Sequence, residues 1–332
     1  MNHDSSVRQM DPDCVSVVMP VYQDGTFLDE AVQSAISQAL PQGVSLELLV
    51  IDDGSTETLV HDHLTRLEGM RHPGLRVLRL AKNSGVSAAR NAGISAARGR
   101  YLAFLDSDDL WRPGHISKHL AALRDHHATL CGSDYDGVDQ QGHVHTPSHL
   151  RHHHRKGRAL AAAFSSGQPA VYEHAAEMFI DCCPTHTAVI TIDRAAYRDS
   201  AVRFTDHLRQ AEDVHLWIRL AAQGRFVFLP ESTAAYRFNP NSISRAIDVP
   251  SRDRWYVAAL HDLLQGELGQ LHHAALRRRL SESLCDLSWA ERQAGQFSRA
   301  WHDALDACRR QPTSLRAWHS AAGCQLALAT RR

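Results

Sequence analysis

Residues 46–56 read LELLVIDDGST, a short apolar run that ends in two adjacent carboxylates. The run at 46–51 predicts a buried β-strand, because strands inside a parallel sheet are apolar on both faces. Asp52, Asp53, Gly54 and Ser55 form a polar turn, and a helix is predicted to follow over residues 56–68. This strand–turn–helix unit is typical of a parallel sheet whose strand ends carry functional side chains.

The same alternation of strand and helix fills the first third of the chain. Thr26 to Asp29 resembles a capping box at the start of the first helix, and Ser84 is the expected cap of the third. The pattern predicts an α/β fold with a mostly parallel sheet flanked by helices. The predicted strands lie at 15–19, 46–51, 75–80 and 101–105, and the predicted helices at 26–39, 56–68 and 86–97.

The second part of the chain departs from this rhythm. Residues 134–170 predict a long excursion with little regular structure, followed by a strand at 188–192, a helix at 213–223 and strands at 226–229 and 234–238. Continuous helix is predicted beyond about residue 250. We therefore expect a flexible N-terminus at 1–13, an α/β domain at 14–245 and a C-terminal all-α region at 250–332.

Composition excludes several classes of protein. The 332 residues include 36 Lys and Arg against 37 Asp and Glu, a net charge of −1 that does not suit a nucleic-acid binder. The 7 cysteines are an odd number without a CxxC pair, which argues against a disulfide framework or a zinc finger. No apolar run approaches the length of about 18 residues that a membrane span needs, and residues 1–13 lack the apolar core of a signal peptide. We expect a cytoplasmic, reduced protein.

The carboxyl ends of the predicted strands bring polar side chains to one edge of the sheet, where ligands bind in folds of this kind. Among them, Asp106 and Asp108 follow the fourth strand directly. Two carboxylates in this arrangement can share a hard divalent cation. The alternative is that Asp108 or Asp109 only caps the helix that follows, and the spacing alone does not decide between the two.

Four motifs, taken together, resemble the family 2 glycosyltransferases of the GT-A fold. They are VVMPVY at 17–22, VIDDGS at 50–55, NSGVSAARNAG at 83–93 and FLDSDD at 104–109. Their order and spacing match that family, and the resemblance extends over about residues 15–244. One departure is Gln23, which stands where the family often has Asn.

The resemblance implies roles for individual residues. Asp53 would accept a hydrogen bond from the nucleotide base, Asp106 would hold the ribose or share the metal, and Asp108 would bind Mn²⁺ or Mg²⁺ as in a DXD motif. The other residues implied in binding the nucleotide sugar are Pro20, Val21, Tyr22, Asp24, Asn83, Arg90 and Ser107.

The second half supplies a catalytic base under the same resemblance. Glu212 and Asp213 precede an amphipathic helix, and Asp213 is the preferred base. The alternative is that Asp213 is the N-cap of that helix, a role compatible with being the base. Arg237, followed by Ser242 to Ser244, resembles the family's segment near the diphosphate. An Arg fork suits a diphosphate; the alternative is a surface Arg on an edge strand.

Two further stretches remain open. Histidines 143, 145, 149, 152, 153 and 154 could bind a metal, but a solvated lid or acceptor loop suits consecutive histidines better. Residues 271–332 hold 10 Arg and 5 acidic residues, a local charge of +5, with an apolar stripe at 297, 300, 301, 304 and 308. Arg277, Arg278, Arg279, Arg309 and Arg310 could face an anionic membrane; the alternative is a solvated helix face.

The resemblance therefore implies a metal-dependent enzyme. It would transfer a sugar, with inversion, from a nucleotide-diphosphate sugar to a hydroxyl acceptor such as a glycan. A UDP-sugar is the expected donor, and cell-surface polysaccharide or glycoconjugate synthesis the expected setting. The alternatives are a metal-dependent nucleotidyltransferase and a non-catalytic protein that acts through its helical tail. A phosphatase with a first-strand Asp-x-Asp and an NAD enzyme fit less well, since the Asp pair is on the fourth strand and no GxGxxG opens a helix.

Overall fold

The computed structural model describes residues 10–198, 201–239 and 247–329. These residues form two compact units. The first comprises the described parts of Met1–Ala175, Pro184–Phe204 and Gln223–Asn239, and it holds every strand found in those ranges. The second comprises Ala176–Cys183, the span Thr205–Ala222 and the described part of Pro240–Arg332, and its regular structure is helical.

The first unit is built on one sheet in the order β3-β2-β1-β4-β9-β6-β10-β5, with β7 paired to β6 and β8 to β10. Strands β1 to β4 run parallel to one another, and β10 runs parallel to β6. The predicted α/β fold with a mostly parallel sheet is confirmed. The strands are β1 (Asp11–Val21), β2 (Ser45–Asp52), β3 (Leu75–Arg79), β4 (Gly99–Phe104), β5 (Leu110–Trp111), β6 (Leu130–Val138), β7 (Val144–Thr146), β8 (Ala170–Tyr172), β9 (Ile190–Asp193) and β10 (Phe226–Arg237).

The helices of the first unit follow the strands. Helix α3 packs on β1 and β2 so closely that a Cβ added at Gly93 would lie 2.4 Å from Cγ1 of Val18. Only glycine therefore fits where α3 meets the sheet. The helices are α1 (Leu28–Ile36), α2 (Thr58–Gly69), α3 (Val86–Ala96), α4 (His115–Asp125), α5 (His149–His152), α6 (His154–Ala159) and α7 (Ala161–Ser166).

Details at the ends of the early elements differ from the sequence prediction. Strand β1 begins at Asp11, inside the segment 1–13 that we expected to be flexible. The capping box is wrong, because the N-cap of α1 is Phe27, which makes no side-chain hydrogen bond. The N-cap of α3 is Gly85 and not Ser84, since the backbone there takes a φ of 93°.

The prediction of little regular structure over 134–170 is wrong. The range contains the end of β6 and then β7, α5, α6, α7 and β8. Asp134 explains why this polar stretch folds: its buried carboxylate accepts hydrogen bonds from the amides of Tyr135 and Leu150 and from the hydroxyl of Ser148. A buried carboxylate is tolerated when donors surround it in this way.

Two strands predicted at 226–229 and 234–238 form one strand. Strand β10 continues through Pro230, with the register to β6 shifting around Ser232. The irregularity falls where the sequence shows Pro-Glu-Ser, which explains why a single strand looked like two.

The second unit gathers helices from three parts of the chain. Helix α8 packs against α9 and α12, and α9 packs against α10. The predicted boundary near residue 245 would assign α8 and α9 to the sheet domain, whereas they cluster with the C-terminal helices. The helices are α8 (Ala176–Cys182), α9 (Glu212–Ala221), α10 (Val249–Gln265), α11 (Glu267–Leu271), α12 (His273–Gln293), α13 (Phe297–Arg310) and α14 (Leu315–Ala329).

The C-terminal arginines bind within the unit. Arg277 donates to the carbonyl of Arg310 at 2.6 Å, and Arg310 donates to Asp306 at 2.8 Å. Arg279 lies over the ring of Tyr256. Arg278 and Arg309 remain exposed. These contacts do not support the predicted membrane-facing set. In the described ranges, no helix has the length and apolarity needed to cross a bilayer, and all seven cysteines are buried.

Candidate active site

The predicted site residues of the first unit follow the carboxyl ends of parallel strands. Strand β1 ends at Val21, β2 at Asp52 and β4 at Phe104, and β1 lies between the other two in the sheet. The loops after these strands therefore share one edge, as the sequence predicts. We call this edge the rim, defined by residues 20–24, 52–55, 82–85 and 104–109.

A tight turn fixes the loop after β2. Asp52 Oδ1 accepts a hydrogen bond from the amide of Ser55 at 2.9 Å. Gly54 has a φ of 70°, and a Cβ there would lie 2.4 Å from the backbone of Lys82. Glycine thus lets the loops 52–55 and 82–85 touch.

Asp53 joins these same two loops. Its two carboxylate oxygens accept hydrogen bonds from the amides of Ser84 and Gly85, each at 2.8 Å. Burial raises the pKa of Asp53, although these amide donors oppose the shift. The structure therefore holds the carboxylate in one orientation, and its role toward a nucleotide base stays a prediction.

Gln23 has a structural role that the sequence did not reveal. Its Oε1 accepts hydrogen bonds from the amides of Thr56 at 2.9 Å and Glu57 at 3.1 Å, at the start of α2. The main-chain amide of Gln23 donates to the hydroxyl of Ser55 at 3.0 Å. The half-buried Tyr22 precedes it, while Pro20 and Val21 are buried in β1. The family's usual Asn is thus replaced by a side chain that anchors the same loop.

Asp106 forms an ion pair with Arg90 of α3. Arg90 Nη2 donates to Asp106 Oδ1 at 2.8 Å, and the Arg90 side chain is 6% exposed. Burial opposes ionisation of Asp106, but the charge and hydrogen bond of Arg90 outweigh it and lower the pKa of Asp106. Arg90 also lies over the ring of Phe204 at 5.2 Å. Arg90 and Asp106, each implied in binding the nucleotide sugar, are therefore direct partners.

Asp108 lies in a strongly acidic environment. Burial, and after it the negative charge of Asp106, raise the pKa of Asp108 to about 6, and Asp24 adds to the effect. Asn239 Nδ2 reaches Asp108 at 3.3 Å and Asp24 at 3.0 Å. Asn239 is a residue that sequence reasoning missed, although it directly follows the strand predicted at 234–238.

Asp109 is buried behind this pair. Its Oδ1 accepts a hydrogen bond from the amide of Arg237 at 2.9 Å. Burial, followed by the charges of Asp108 and Asp106, raises the pKa of Asp109 well above its usual range. Asp109 therefore has a structural partner, and the rim carries more carboxylates than its cations neutralise.

This donor set fits a divalent cation. Oxygen ligands are what Mg²⁺ and Mn²⁺ prefer, and a bound cation would stabilise the ionised form of Asp108. Within the described residues, no group of three or more His, Cys, Asp or Glu is placed to hold a metal. Asp106 and Asp108 would thus need ligands from a substrate, and diphosphate oxygens suit that purpose.

Arg237 is buried and fully engaged. Its guanidinium donates to the carbonyl of Asp108 at 3.1 Å, to the carbonyl of Gln140 at 2.7 Å and to Glu30 Oε2 at 2.7 Å. It also lies over the ring of Phe27 at 4.2 Å. The alternative of a surface Arg on an edge strand is wrong, since the side chain is 1% exposed and β10 pairs on both sides. A diphosphate role stays a prediction, and the contacts favour a structural one.

The remaining predicted residues are placed as follows. Asn83 is exposed on its loop and Ser107 is half-buried between Asp106 and Asp108. Ser242 to Ser244 lie outside the described residues.

The candidate bases begin α9 in the second unit. The N-cap is Ala211, with a φ of 60°, so the prediction of Asp213 as N-cap is wrong. Glu212 is buried, whereas Asp213 is partly exposed and accepts a hydrogen bond from the amide of Val214 at 2.7 Å. His215, one turn into the helix, lies 2.8 Å from Asp262 of α10, which fixes α9 in its unit.

The histidines at 143–154, all within the described residues, form no group that could hold a metal ion. His143 lies beside Asp139 at 3.3 Å, and His152 Nδ1 lies near the carbonyl of Ser148 at 3.0 Å. His149 stacks on the ring of Tyr135 with the centroids 4.8 Å apart.

Comparison with known proteins agrees with this geometry. The family model described as "Glycosyl transferase family 2" matches residues 16–180. The putative teichuronic acid biosynthesis glycosyltransferase TuaG of Bacillus subtilis is 27% identical over 249 residues, covering 73% of this chain and 86% of TuaG. The succinoglycan biosynthesis protein ExoO of Rhizobium meliloti is 28% identical, covering 74% of this chain and 66% of ExoO.

Solved structures show the same fold. S. aureus TarS 1–349 in complex with UDP-GlcNAc has a TM-score of 0.67 at 19% identity, covering 93% of this chain and 88% of that one. Mannosyltransferase PcManGT from Pyrobaculum calidifontis, in complex with GDP-Man and Mn²⁺, has a TM-score of 0.59 at 16% identity, covering 96% of this chain and 81% of that one.

The chain belongs to the family 2 glycosyltransferases. Its sheet unit has the GT-A type of fold that the four motifs imply, followed in the chain by C-terminal helices. It is a glycosyltransferase by family.

Proposed function

We propose that this enzyme transfers a sugar from a nucleotide-diphosphate sugar to a hydroxyl acceptor. The observation that carries the proposal is the set of carboxylates Asp53, Asp106 and Asp108 on the rim, with Arg90 of α3 paired to Asp106. The structurally similar TarS is solved with UDP-GlcNAc and with UDP, which favours a UDP-sugar as the donor. The nucleotidyltransferase and the non-catalytic alternative receive no support from the family match.

The chemistry follows from the carboxylates. A divalent cation held by Asp106 and Asp108 would neutralise charge on the departing diphosphate. Arg90 keeps Asp106 ionised and oriented, since its guanidinium lies 2.8 Å away. Asp213 takes the proton of the acceptor hydroxyl as that oxygen bonds to the anomeric carbon, and the bond from that carbon to the diphosphate oxygen breaks. A single displacement of this kind inverts the anomeric configuration.

The setting we propose is cell-surface polysaccharide or glycoconjugate synthesis on the cytoplasmic side of the membrane. The names of TuaG and ExoO support it, since they refer to teichuronic acid and succinoglycan synthesis. The acceptor would be a glycan or glycoconjugate.

A screen of nucleotide sugars tests the proposal. Release of UDP or GDP from each sugar donor is measured with Mn²⁺, with Mg²⁺ and with EDTA. We expect one donor, a UDP-sugar, to be turned over only with metal. Turnover of no nucleotide sugar, together with absent binding of UDP and GDP, would contradict the proposal.

A further inference from the structure

A cluster of rings lies beside the rim and is used by none of the roles above. Tyr135 of β6 is at its centre, 6% exposed. His149 stacks on Tyr135 at 4.8 Å with an interplanar angle of 18°, and His186 lies 5.1 Å from it. Tyr236 of β10 meets His186 edge to face at 5.0 Å and Tyr135 at 6.3 Å. We call these four residues the ring cluster.

The ring cluster borders the candidate active site. His186 lies near enough to Asp106 that its ring, when protonated, lowers the pKa of that carboxylate. Tyr236 directly precedes Arg237, whose guanidinium binds the carbonyl of Asp108. The ring cluster therefore lies next to the residues that are proposed to hold the nucleotide diphosphate.

The orientation of His186 is fixed by its neighbours. Its Nδ1 accepts a hydrogen bond from the amide of Ala188 at 3.3 Å, so the proton of the neutral ring is on Nε2. The carbonyl of Ala188 in turn accepts from the indole of Trp111 at 2.7 Å. The hydrogen bonds of Ala188 therefore fix the position of the His186 imidazole.

The His-rich stretch contributes to the same surface. Lys156 Nζ donates to the carbonyl of Thr185 at 3.3 Å, next to His186. This bond ties the segment that carries His149 to the segment that carries His186. His149, His186 and Tyr236 are each half-buried, whereas Tyr135 is buried.

We propose that the ring cluster binds the hexopyranose ring that takes part in transfer. The apolar C–H face of a pyranose packs on aromatic faces, and the polar tips of His186 and Tyr236 can bond its hydroxyl groups. The same chemistry could come from the donor's sugar or from the end of the acceptor glycan. This inference rests on the proposed function.

The test compares Tyr236→Ala, Tyr236→Phe and His149→Ala with the full-length wild type. The matched control is Tyr172→Ala, since Tyr172 is also half-buried and stacks on Phe226 at the opposite end of β10. Affinities for UDP and for UDP-GlcNAc, or the UDP-sugar that is turned over, are measured by calorimetry. The KM for a p-nitrophenyl hexopyranoside acceptor is measured in parallel.

If the donor's sugar occupies the cluster, Tyr236→Ala weakens UDP-sugar binding about tenfold and leaves UDP affinity unchanged. If the acceptor's sugar occupies the cluster, Tyr236→Ala raises the KM for the acceptor by a similar factor and leaves the donor affinity unchanged. Tyr236→Phe keeps the ring and should lose less in either case. Wild-type values for both ligands in Tyr236→Ala and His149→Ala would overturn the inference while leaving the proposed function intact. A wild type that binds no nucleotide would overturn both.

Discussion

Arg237 donates a hydrogen bond from Nε to the main-chain carbonyl of Asp108, with 3.1 Å between the two atoms. The same residue donates its own amide to Asp109. A buried arginine at the end of β10 therefore holds the loop that carries the candidate metal carboxylates.

Arg237→Ala is expected to lower the free energy of unfolding by about 2–4 kcal/mol, because it leaves buried carbonyls without a donor and opens a cavity. Chemical denaturation measures this. The control is Arg66→Ala, whose side chain is 60% exposed and paired to Asp29; it should cost under about 1 kcal/mol. Equal, small effects of both substitutions would contradict the structural role.

Gly93→Ala should destabilise the protein by about 1–3 kcal/mol, since the added methyl group would overlap the Val18 side chain in the core. Gly69→Ala is the control, because Gly69 ends α2 with nothing within 4 Å of an added Cβ. That change should be neutral or slightly stabilising. Thermal unfolding of the two variants would show the difference, and a stable Gly93→Ala would contradict the packing of α3.

His119 predicts a pH dependence of stability. Its ring is fully buried, with Nδ1 3.0 Å from the hydroxyl of Thr191. Burial lowers the pKa of His119 to about 3, against an ordinary value near 6.5. A histidine that stays neutral in the folded state contributes stability above its unfolded pKa, and this is lost as the pH falls below about 6.5.

Between pH 7 and pH 5, the wild type should therefore lose about 2 kcal/mol more than His119→Gln. Urea denaturation at both pH values measures the loss. The same change at His143, whose side chain is 81% exposed, should leave the pH dependence as in the wild type. An equal loss of stability in the wild type and in His119→Gln between these pH values would contradict the prediction.

Asp213→Asn should slow sugar transfer by at least about 100-fold, because loss of a general base typically costs 10²–10⁴-fold. Folding and nucleotide affinity should remain, since Ala211 and not Asp213 is the N-cap of α9. Steady-state transfer rates and UDP titrations measure both quantities. Glu212→Gln is the matched control and should slow transfer less. If Asp213→Asn transfers sugar at the wild-type rate while Glu212→Gln is inactive, the base is Glu212 and not Asp213.

The early α/β rhythm could be predicted because strands inside a parallel sheet are apolar throughout and helices are amphipathic. Strand β6 could not, since it contains Gly132 and the buried Asp134 and Asp136. Their carboxylates are satisfied by donors distant in sequence, such as Arg112 for Asp136. Helix α4, which the sequence analysis did not delimit, likewise buries His115 and His119.

The site shows the same division. Asp53, Asp106 and Asp108 were expected on one edge because the loops after parallel strands converge there. The pairing of Arg90 with Asp106 was not predicted, since Arg90 lies within α3. The contacts of Asn239 and Arg237 arise because the end of β10 meets the loops after β1 and β4. No local pattern in the sequence predicts these contacts between segments that are distant in the chain.

The most direct test of the account is the metal dependence of transfer in Asp108→Asn. The rate of sugar transfer is measured over a Mn²⁺ series and in EDTA, with Asp62→Asn, an exposed carboxylate on α2, as the control. We predict that EDTA abolishes transfer by the wild type and by Asp62→Asn, and that Mn²⁺ or Mg²⁺ restores it. Asp108→Asn should stay at least about 100-fold slower at saturating metal. Full activity of Asp108→Asn in EDTA would contradict the central claim.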